Sequence, residues 1–387
     1  MKKYYLLFFI TALLIVFGGI PIKGVQAASN EISLDVAKQA ALNELKQSPY
    51  AGEIDSVEDF KLKTYLYDVD ESLLGYYLTY KTGEGNTNHI LVSATTERAP
   101  ILQYGEGILD SEHEYLLDKG KKLYYLGPLQ FLYGKDNNEI IGKFNQRKDL
   151  ILKDLEKENK KQSQAYEKIL KKDIPSVKKD IKNEEEWNKL LSYDPSIQNS
   201  TMATTYKVLG VTRLWQRSSG VNSPNSACGP ATAAMVSNYL KGQGFNVKGT
   251  ADYSSVGSFI NHMYSDLGTT AVGTSMAQYR TGLAKHVRES YTATKWDVWS
   301  YRAYGYYEHY KDMINLNRPI GLRFDFFIRE GTYVDYHFVA GIGYDHGSTA
   351  KFAIKDPDGG SGNTGTIWLN WNDNNNDMEM GMVNYIN

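Results

Sequence analysis

Cysteine is nearly absent from this sequence, which has one, Cys228, among its 387 residues. A single cysteine excludes a fold held together by disulfides, and it excludes zinc sites built from several cysteines. Charge of either sign is not in excess, because 43 lysines and arginines accompany 45 aspartates and glutamates, for a formal net charge of -2. This balance gives no reason to expect a nucleic-acid partner.

Long apolar runs are scarce, and the one of near-spanning length lies at the start of the chain. Two lysines precede an apolar run over residues 4–20, and the small-x-small pattern VQA follows at residues 25–27. This order is typical of a secretory signal peptide, so we expect residues 1–27 to be removed and the protein to be secreted and extracellular. A retained membrane anchor is the alternative, but the cleavage pattern favours removal. A lipid anchor would need a cysteine at the cleavage point.

Residues 28–142 have the pattern of a small domain without chemistry of its own. Ser33 is placed to cap a helix with an apolar stripe. Alternating segments follow at residues 60–67, 75–81, 89–93 and 100–104. We therefore predict one helix packed on a small antiparallel sheet, an α+β unit.

Residues 143–200 change to Lys, Glu, Asp, Gln and Asn, which predicts a charged helical linker between two folded units. Trp187, Leu190 and Leu191 form an apolar island in it that could anchor near a cleft of a neighbouring unit. The polar stretch that follows, over residues 196–205, is a natural place for proteolytic activation. Residues 201–387 are aromatic and turn-rich, and they form a domain of ordinary size that contains Cys228.

Cys228 lies in the sequence NSACGPATAAMVSNY, where a loop should turn into a helix. Pro230 suits the first turn of that helix, and Gly242 and Gly244 are expected to end it. A cysteine at the head of a helix experiences the positive end of the macrodipole, which favours the nucleophilic thiolate. A buried structural cysteine is the alternative. An unpaired thiol in an exported chain is nevertheless a candidate reactive group.

A histidine and an aspartate on a predicted hairpin could serve that thiol. His337 begins an apolar strand, and Asp356 ends the next one, with a turn-rich stretch between them. If the hairpin folds symmetrically about His346 and Gly347, His337 and Asp356 are directly opposite each other and share a face. The carboxylate would then orient the imidazole, whereas a one-residue slip would separate the two. An ordinary cross-strand polar pair is the alternative.

Gln216 lies twelve residues before Cys228, and its side-chain amide could donate to an oxyanion together with the Cys228 backbone N–H. A single glutamine does not by itself indicate an oxyanion site.

The order of Gln216, the ACGPA helix start, the YHFV strand and the Asp356-Pro357 step resembles the papain-like cysteine peptidases of the bacteriocin-processing, double-glycine leader type. The resemblance covers about residues 205–387.

The resemblance implies a two-lobed, papain-like α+β domain in which Cys228 is the nucleophile, His337 the base, Asp356 the orienting group and Gln216 the oxyanion donor. No metal or other cofactor is required. The region before it resembles the pro-segments of exported papain-like enzymes such as streptopain, which implies a zymogen held inactive by its own pro-domain. We expect a monomer that hydrolyses protein or peptide bonds. A hydrolase of cell-wall peptides with the same triad, and a non-catalytic surface binding protein, are the alternatives.

One further stretch has alternating oxygen side chains. Residues 373–377, DNNND, start like a calcium loop, but the expected glycine is Met378 and no glutamate closes the loop. We therefore interpret this stretch as turns.

Overall fold

The computed structural model is a mixed α/β fold built around one large sheet. It describes residues 30–157, 167, 171, 173–174, 183–194, 206–289, 296–325, 327–331, 336–347, 349–360 and 365–385. The predicted signal peptide at residues 1–27 and the predicted cleavage stretch at residues 196–205 lie outside the described residues. In the described part of the chain, no helix combines the length and apolar character that a membrane span needs.

The first unit, residues 30–157, begins with the expected helix. The side chain of Ser33 accepts a hydrogen bond from the backbone N–H of Val36, and the buried alanine face of the helix lies on the sheet. The four predicted strands are present, with bounds that differ by one or two residues from the prediction. The elements are α1 (Leu34–Lys46), β1 (Lys61–Tyr67), β2 (Leu73–Lys81), β3 (Thr87–Ser93) and β4 (Ile101–Glu106).

The first unit also contains elements that the sequence analysis did not predict. They are α2 (Tyr115–Asp118), β5 (Lys122–Gly127), β6 (Gln130–Gly134) and α3 (Asn137–Lys157). The strands β5 and β6 are buried along nearly their whole length, so their sequences show continuous apolar and aromatic residues instead of alternation. The predicted domain boundary after residue 142 falls inside α3 and therefore does not mark a break in the structure.

The apolar island of the linker lies on a helix, α4 (Asn183–Leu191), that docks onto the first unit. The indole N–H of Trp187 donates to the carbonyl of Arg98 at 3.0 Å, and the side-chain amide of Asn43 on α1 donates to the carbonyl of Leu190 at 2.9 Å. Trp187 and Leu190 are both buried. The island therefore anchors the linker as expected, but beside α1 and not at a cleft.

The last unit, residues 206–385, contributes helices and strands in alternation. Its helices are α5 (Cys228–Gly242), α6 (Val256–Asp266), α7 (Met276–Arg288), α8 (Tyr307–Asn315) and α9 (Trp371–Asn374). Its strands are β7 (Tyr206–Val208), β8 (Trp296–Arg302), β9 (Ile320–Phe324), β10 (His337–Asp345), β11 (Lys351–Lys355), β12 (Ile367–Asn370) and β13 (Met378–Tyr385). The helix α5 packs on β10 and against α6 and α7. The DNNND stretch forms the end of α9 and a 3₁₀ turn, Asn375–Asp377.

One continuous sheet joins the two units. Its strand order is β6-β5-β1-β2-β3-β4-β12-β11-β10-β9-β13-β8, with β7 paired to β10. The junction is the antiparallel pair β4–β12, where Tyr104 is opposite Trp368 and their rings stack with centroids 6.0 Å apart. Beside the junction, the Lys351 ammonium lies 2.9 Å from the Glu44 carboxylate, and both side chains are buried. The first unit is thus packed against the last unit through backbone pairing and buried side chains.

Candidate active site

Cys228 is the first residue of α5, and its side chain is almost completely buried. The helix ends near Gly242 as predicted, and its first backbone hydrogen bond runs from Ala231 N–H to Ala227 C=O at 2.9 Å. Gly229 allows this helix end to pack closely, because a Cβ there would lie 2.5 Å from the Thr274 hydroxyl. The thiol is therefore held at the positive end of a well-packed helix.

His337 and Asp356 contact each other, as the sequence analysis expected. The imidazole Nε2 lies 2.7 Å from Asp356 Oδ1, and both side chains are buried. The other ring nitrogen, Nδ1, is buried and makes no hydrogen bond, and the Cys228 thiol lies close enough to contribute to the pKa of the ring. Phe327 stacks on the imidazole with centroids 4.3 Å apart. The ring is thus fixed by a carboxylate on one nitrogen and an aromatic face.

The hairpin register that led to this contact was predicted incorrectly. Asp345 pairs with Lys351, three residues beyond its predicted partner, and a bulge between Gly341 and Gly343 then shifts the register back by one residue. Continuing the register past Ala340 and Lys355 would place residue 358, not residue 356, opposite His337. The bulge reduces the displacement from three residues to two, and an even displacement keeps Asp356 on the same face as His337, as its diagonal neighbour.

The structure adds a residue that the sequence analysis missed, Arg329. Its guanidinium Nη1 lies 2.7 Å from Asp356 Oδ2, and its Nη2 donates to the carbonyl of Asp358 at 2.8 Å. The backbone N–H of Asp358 donates to Asp356 Oδ1 at 2.8 Å, so the carboxylate accepts from three donors. No pattern near residue 329 marks it in the sequence, because the ion pair joins two segments that are 27 residues apart.

The charged groups at the site shift the pKa values of Asp356 and His337 so that both side chains are ionised. Burial alone would raise the pKa of the Asp356 carboxyl, but Arg329 and His337 hold it well below its usual value. Burial alone would lower the pKa of the His337 imidazole, but the Asp356 carboxylate, with a contribution from the Cys228 thiol, raises it to about 9. An imidazolium is therefore favoured at neutral pH, next to the only thiol of the chain.

Gln216 is buried and connects two segments of the site. Its backbone N–H donates to the carbonyl of Pro357 at 2.9 Å, and its side-chain Nε2 donates to the carbonyl of Pro224 at 2.8 Å. Pro224 opens the 3₁₀ turn that leads into Cys228. Since an amide nitrogen carries two hydrogens, one N–H of Gln216 remains beyond the bond to Pro224.

Two more arginines, which the sequence analysis did not single out, hold the loop after Asp356. Arg213 donates through Nε to the carbonyl of Asp356 at 2.6 Å and through its guanidinium to the carbonyl of Gly359. Arg217 pairs with the Asp358 carboxylate at 2.6 Å. Both arginines flank Gln216, so the same short segment supplies an amide and two loop-binding cations.

The first unit contacts the segment that carries Phe327 and Arg329. The backbone N–H of Glu330 donates to the carbonyl of Phe131 at 3.0 Å, and Lys143 on α3 lies 2.8 Å from the Glu330 carboxylate. Farther along α3, Ile151 packs against Val272, whose carbonyl accepts a hydrogen bond from the Tyr336 hydroxyl at 3.3 Å. The helix α3 therefore contacts two segments of the last unit that lie beside the site, one near Thr274 and one near His337.

Comparison with known proteins gives one family. Residues 208–379 match the model of the Peptidase_C39 like family, which covers somewhat less than half of the chain and includes Gln216, Cys228, His337 and Asp356. The matched region is thus similar to a cysteine peptidase domain. A solved structure of a fragment of prointerpain A from Prevotella intermedia is 14% identical and covers 79% of this chain and 94% of that chain, with a TM-score of 0.38. No curated protein matches the chain.

Proposed function

We propose that this protein is the secreted zymogen of a papain-like cysteine endopeptidase, with a two-lobed catalytic domain and a Cys228-His337-Asp356 triad. The observation that carries the proposal is the orientation of His337. One ring nitrogen is 2.7 Å from the Asp356 carboxylate, which leaves the other for the thiol at the head of α5. A nucleophile, a base and a group that orients the base are the minimum for cysteine catalysis.

In the proposed mechanism, the Cys228 thiolate attacks the carbonyl carbon of the scissile peptide bond. The resulting oxyanion is held by the Cys228 backbone N–H and the remaining N–H of Gln216. The His337 imidazolium, oriented by Asp356, donates its Nδ1 proton to the leaving amine, and an acyl-enzyme remains. Neutral His337 then removes a proton from water, the hydroxide attacks the acyl carbon, and the thiolate leaves as the carboxylic acid product is released.

We further propose that the first unit keeps this site inactive. Cys228 and His337 are each 1% exposed in the full chain, so a polypeptide substrate has no direct route to the thiol. The first unit also contacts the segment beside His337, through the bond from Glu330 to Phe131, and it contacts the Val272 segment through α3. Cleavage of the linker, followed by dissociation of the first unit, would remove these contacts and open the cleft, and the mature enzyme would then act as a monomer.

The experiment is a comparison of casein turnover by three samples. They are the precursor from residue 28, the same precursor after limited proteolysis and removal of the first unit, and a Cys228→Ala precursor treated in the same way. We expect turnover in the second sample only, with complete inhibition by a thiol-directed reagent. Turnover in the third sample would contradict the cysteine mechanism. Turnover of purified peptidoglycan without turnover of casein would instead select the cell-wall alternative, and an inert thiol with no turnover of either would select a binding protein.

A further inference from the structure

A second cluster of reactive side chains lies on the helices α6 and α7. His262 and Asp266 are four residues apart on α6, and they therefore share one face. His286 lies in the last turn of α7, and Glu289 follows as its C-cap residue. One ligand atom from each of these four residues lies within 4.8 Å of the other three. The sequence pattern H-x3-D followed by H-x2-E could have indicated this cluster.

The separations between these atoms match those in a tetrahedral metal site. Zinc binds imidazole and carboxylate ligands at about 2.0–2.2 Å, which puts any two ligands of a tetrahedron about 3.3–3.6 Å apart. His262 Nε2 lies 3.0 Å from Asp266 Oδ2 and 3.3 Å from Glu289 Oε1. His286 Nδ1 lies 3.3 Å from the same oxygen of Asp266. Three edges of the tetrahedron are thus already close to the required length.

Three of the four side chains are held by a contact to the polar atom that faces away from the centre of the cluster. Lys285 lies 2.7 Å from Asp266 Oδ1, and Lys248 lies 2.9 Å from Glu289 Oε2, which leaves Oδ2 and Oε1 facing the centre. His286 Nε2 lies 3.2 Å from the carbonyl oxygen of Lys248. Outer contacts of this kind are typical of metal ligands, because they fix the ring and carboxylate orientations.

His286 supplies the argument for a cation. Its Nε2 faces a carbonyl oxygen, which only accepts, so Nε2 must carry a proton. In the neutral ring, Nδ1 then has a lone pair, and that lone pair faces a carboxylate oxygen of Asp266 at 3.3 Å. Two lone pairs at this distance repel each other, so either a second ring proton or a metal ion must lie between them. His262 Nε2, which is buried and makes no hydrogen bond, faces the same oxygen.

Lys285 and Lys248 offset the negative charge of the two carboxylates but do not occupy the space between the four proposed ligand atoms. Their side chains are 62% and 42% exposed, so solvent screens their repulsion of a bound cation. The Asp266 and His286 side chains, by contrast, are 3% and 0% exposed.

We propose that His262, Asp266, His286 and Glu289 bind one divalent transition-metal ion of the zinc class, with four protein ligands and therefore a structural role. The ion would fasten α6 to α7. Since α5 packs against both helices and begins at Cys228, the ion would stabilise the helical layer that supports the thiol. The proposal is independent of the proposed triad, in which these four residues take no part.

The test uses the precursor from residue 28 with Cys228→Ala, so that the thiol cannot bind metal, and without a histidine tag. After chelator treatment and dialysis, Zn²⁺ is titrated in competition with a chromogenic chelator, and Co²⁺ is titrated by visible absorption. We expect one equivalent of Zn²⁺ to bind and to raise the Tm, and Co²⁺ to give the spectrum of a tetrahedral site.

Three variants in this background complete the test. His262→Gln and Glu289→Gln change partly exposed ligands, and each should weaken binding by about tenfold or more and remove the Tm shift. His346→Gln changes an exposed histidine outside the cluster and should leave both unchanged. Equal affinity in His262→Gln and His346→Gln, or no stoichiometric binding in the parent chain, would overturn the proposal and identify the cluster as an ion-pair network only. Folding of each variant is checked by its Tm without metal.

Discussion

Arg329 and His337 lie on opposite oxygens of the Asp356 carboxylate, each at 2.7 Å. The guanidinium is buried and also stands over the ring of Phe327, which stacks on the imidazole. Arg329 is therefore in contact with both groups that fix the orientation of His337. We infer that Arg329 is a positioning residue that keeps Asp356 ionised.

The first prediction is that Arg329→Gln lowers kcat and shifts the acid limb of the pH profile to higher pH. Without the guanidinium, the pKa of the Asp356 carboxyl rises, because burial raises it and one of the two groups that lower it is lost. Loss of one partner of a buried ion pair should also reduce the free energy of unfolding by about 3–5 kcal/mol. Arg217→Gln is the matched control, because Arg217 pairs with Asp358 and not with Asp356. An unchanged acid limb in Arg329→Gln would contradict the positioning role, whatever the loss of stability.

The second prediction concerns alkaline pH. The pKa of His337 is raised to about 9 in the folded chain and is about 6.5 in the unfolded chain. Stabilisation by the imidazolium is therefore complete below pH 6.5 and is lost as the pH rises through 9. The alkaline limb of kcat/KM should also fall near pH 9.

The measurement is the free energy of unfolding of the precursor from residue 28, from pH 6 to 10, with and without His337→Gln. The difference between the two chains should decrease across this window, by up to about 3 kcal/mol. A difference that does not depend on pH would show that His337 is neutral in the folded protein.

Local patterns were sufficient to predict α1, the four strands β1–β4 and the helix that begins at Cys228. Each has a cap or a periodicity that its own sequence displays. The strands β5 and β6 were missed because burial on both faces removes the alternation that identifies a strand. The pairing of β4 with β12 was also missed, because hydrogen bonds between strands more than 250 residues apart leave no pattern in the local sequence.

The candidate site was also predicted only in part from the sequence. His337 and Asp356 were correctly expected to meet, since a hairpin joins them, but the register depended on a bulge that no residue pattern announced. Arg329 was missed because its importance follows from packing alone. The four residues on α6 and α7 did have a visible spacing, but that spacing does not show that the two helices pack side by side.

The third prediction concerns Cys228, the proposed nucleophile. Cys228→Ala should abolish hydrolysis and leave the fold intact, since alanine fits the space of a buried cysteine. Cys228→Ser should be nearly as inactive, because a serine hydroxyl is far less nucleophilic than a thiolate next to an imidazolium. Casein turnover after proteolytic activation, together with circular dichroism, provides the measurement. Residual turnover above a small fraction of the wild-type rate would refute the cysteine mechanism.

The fourth prediction separates the two acidic residues of the loop. Asp356→Ala should reduce kcat more than it changes KM, because in the proposed triad Asp356 orients the base. Asp358→Ala should have a smaller effect, since its carboxylate contacts Arg217 and Arg329 but not His337. Gln216→Ala should lower kcat by roughly 10²-fold if the amide stabilises the oxyanion. A larger loss at Asp358, or an unchanged rate at Gln216, would reassign these roles.

The last prediction is that linker cleavage activates the enzyme only when the first unit also leaves. The precursor should be inactive, and the cut should fall between residues 187 and 205, as mass spectrometry can determine. Because β4 pairs with β12 and Lys351 pairs with Glu44 in a buried site, the cut fragment should still co-elute with the last unit at neutral pH. Added in excess, the fragment of residues 28–195 should inhibit the active enzyme.

Glu44→Gln tests the reason for this retention. It removes a buried charge from the contact between the units, so the fragment should dissociate more readily and turnover after cleavage should rise. Glu58→Gln, which changes a residue of the first unit outside the contact, is the control and should behave like the wild type. Full activity in an intact precursor would mean that the first unit does not inhibit. Full activity of the cleaved but still associated complex would instead mean that the linker, and not the first unit, blocks the cleft.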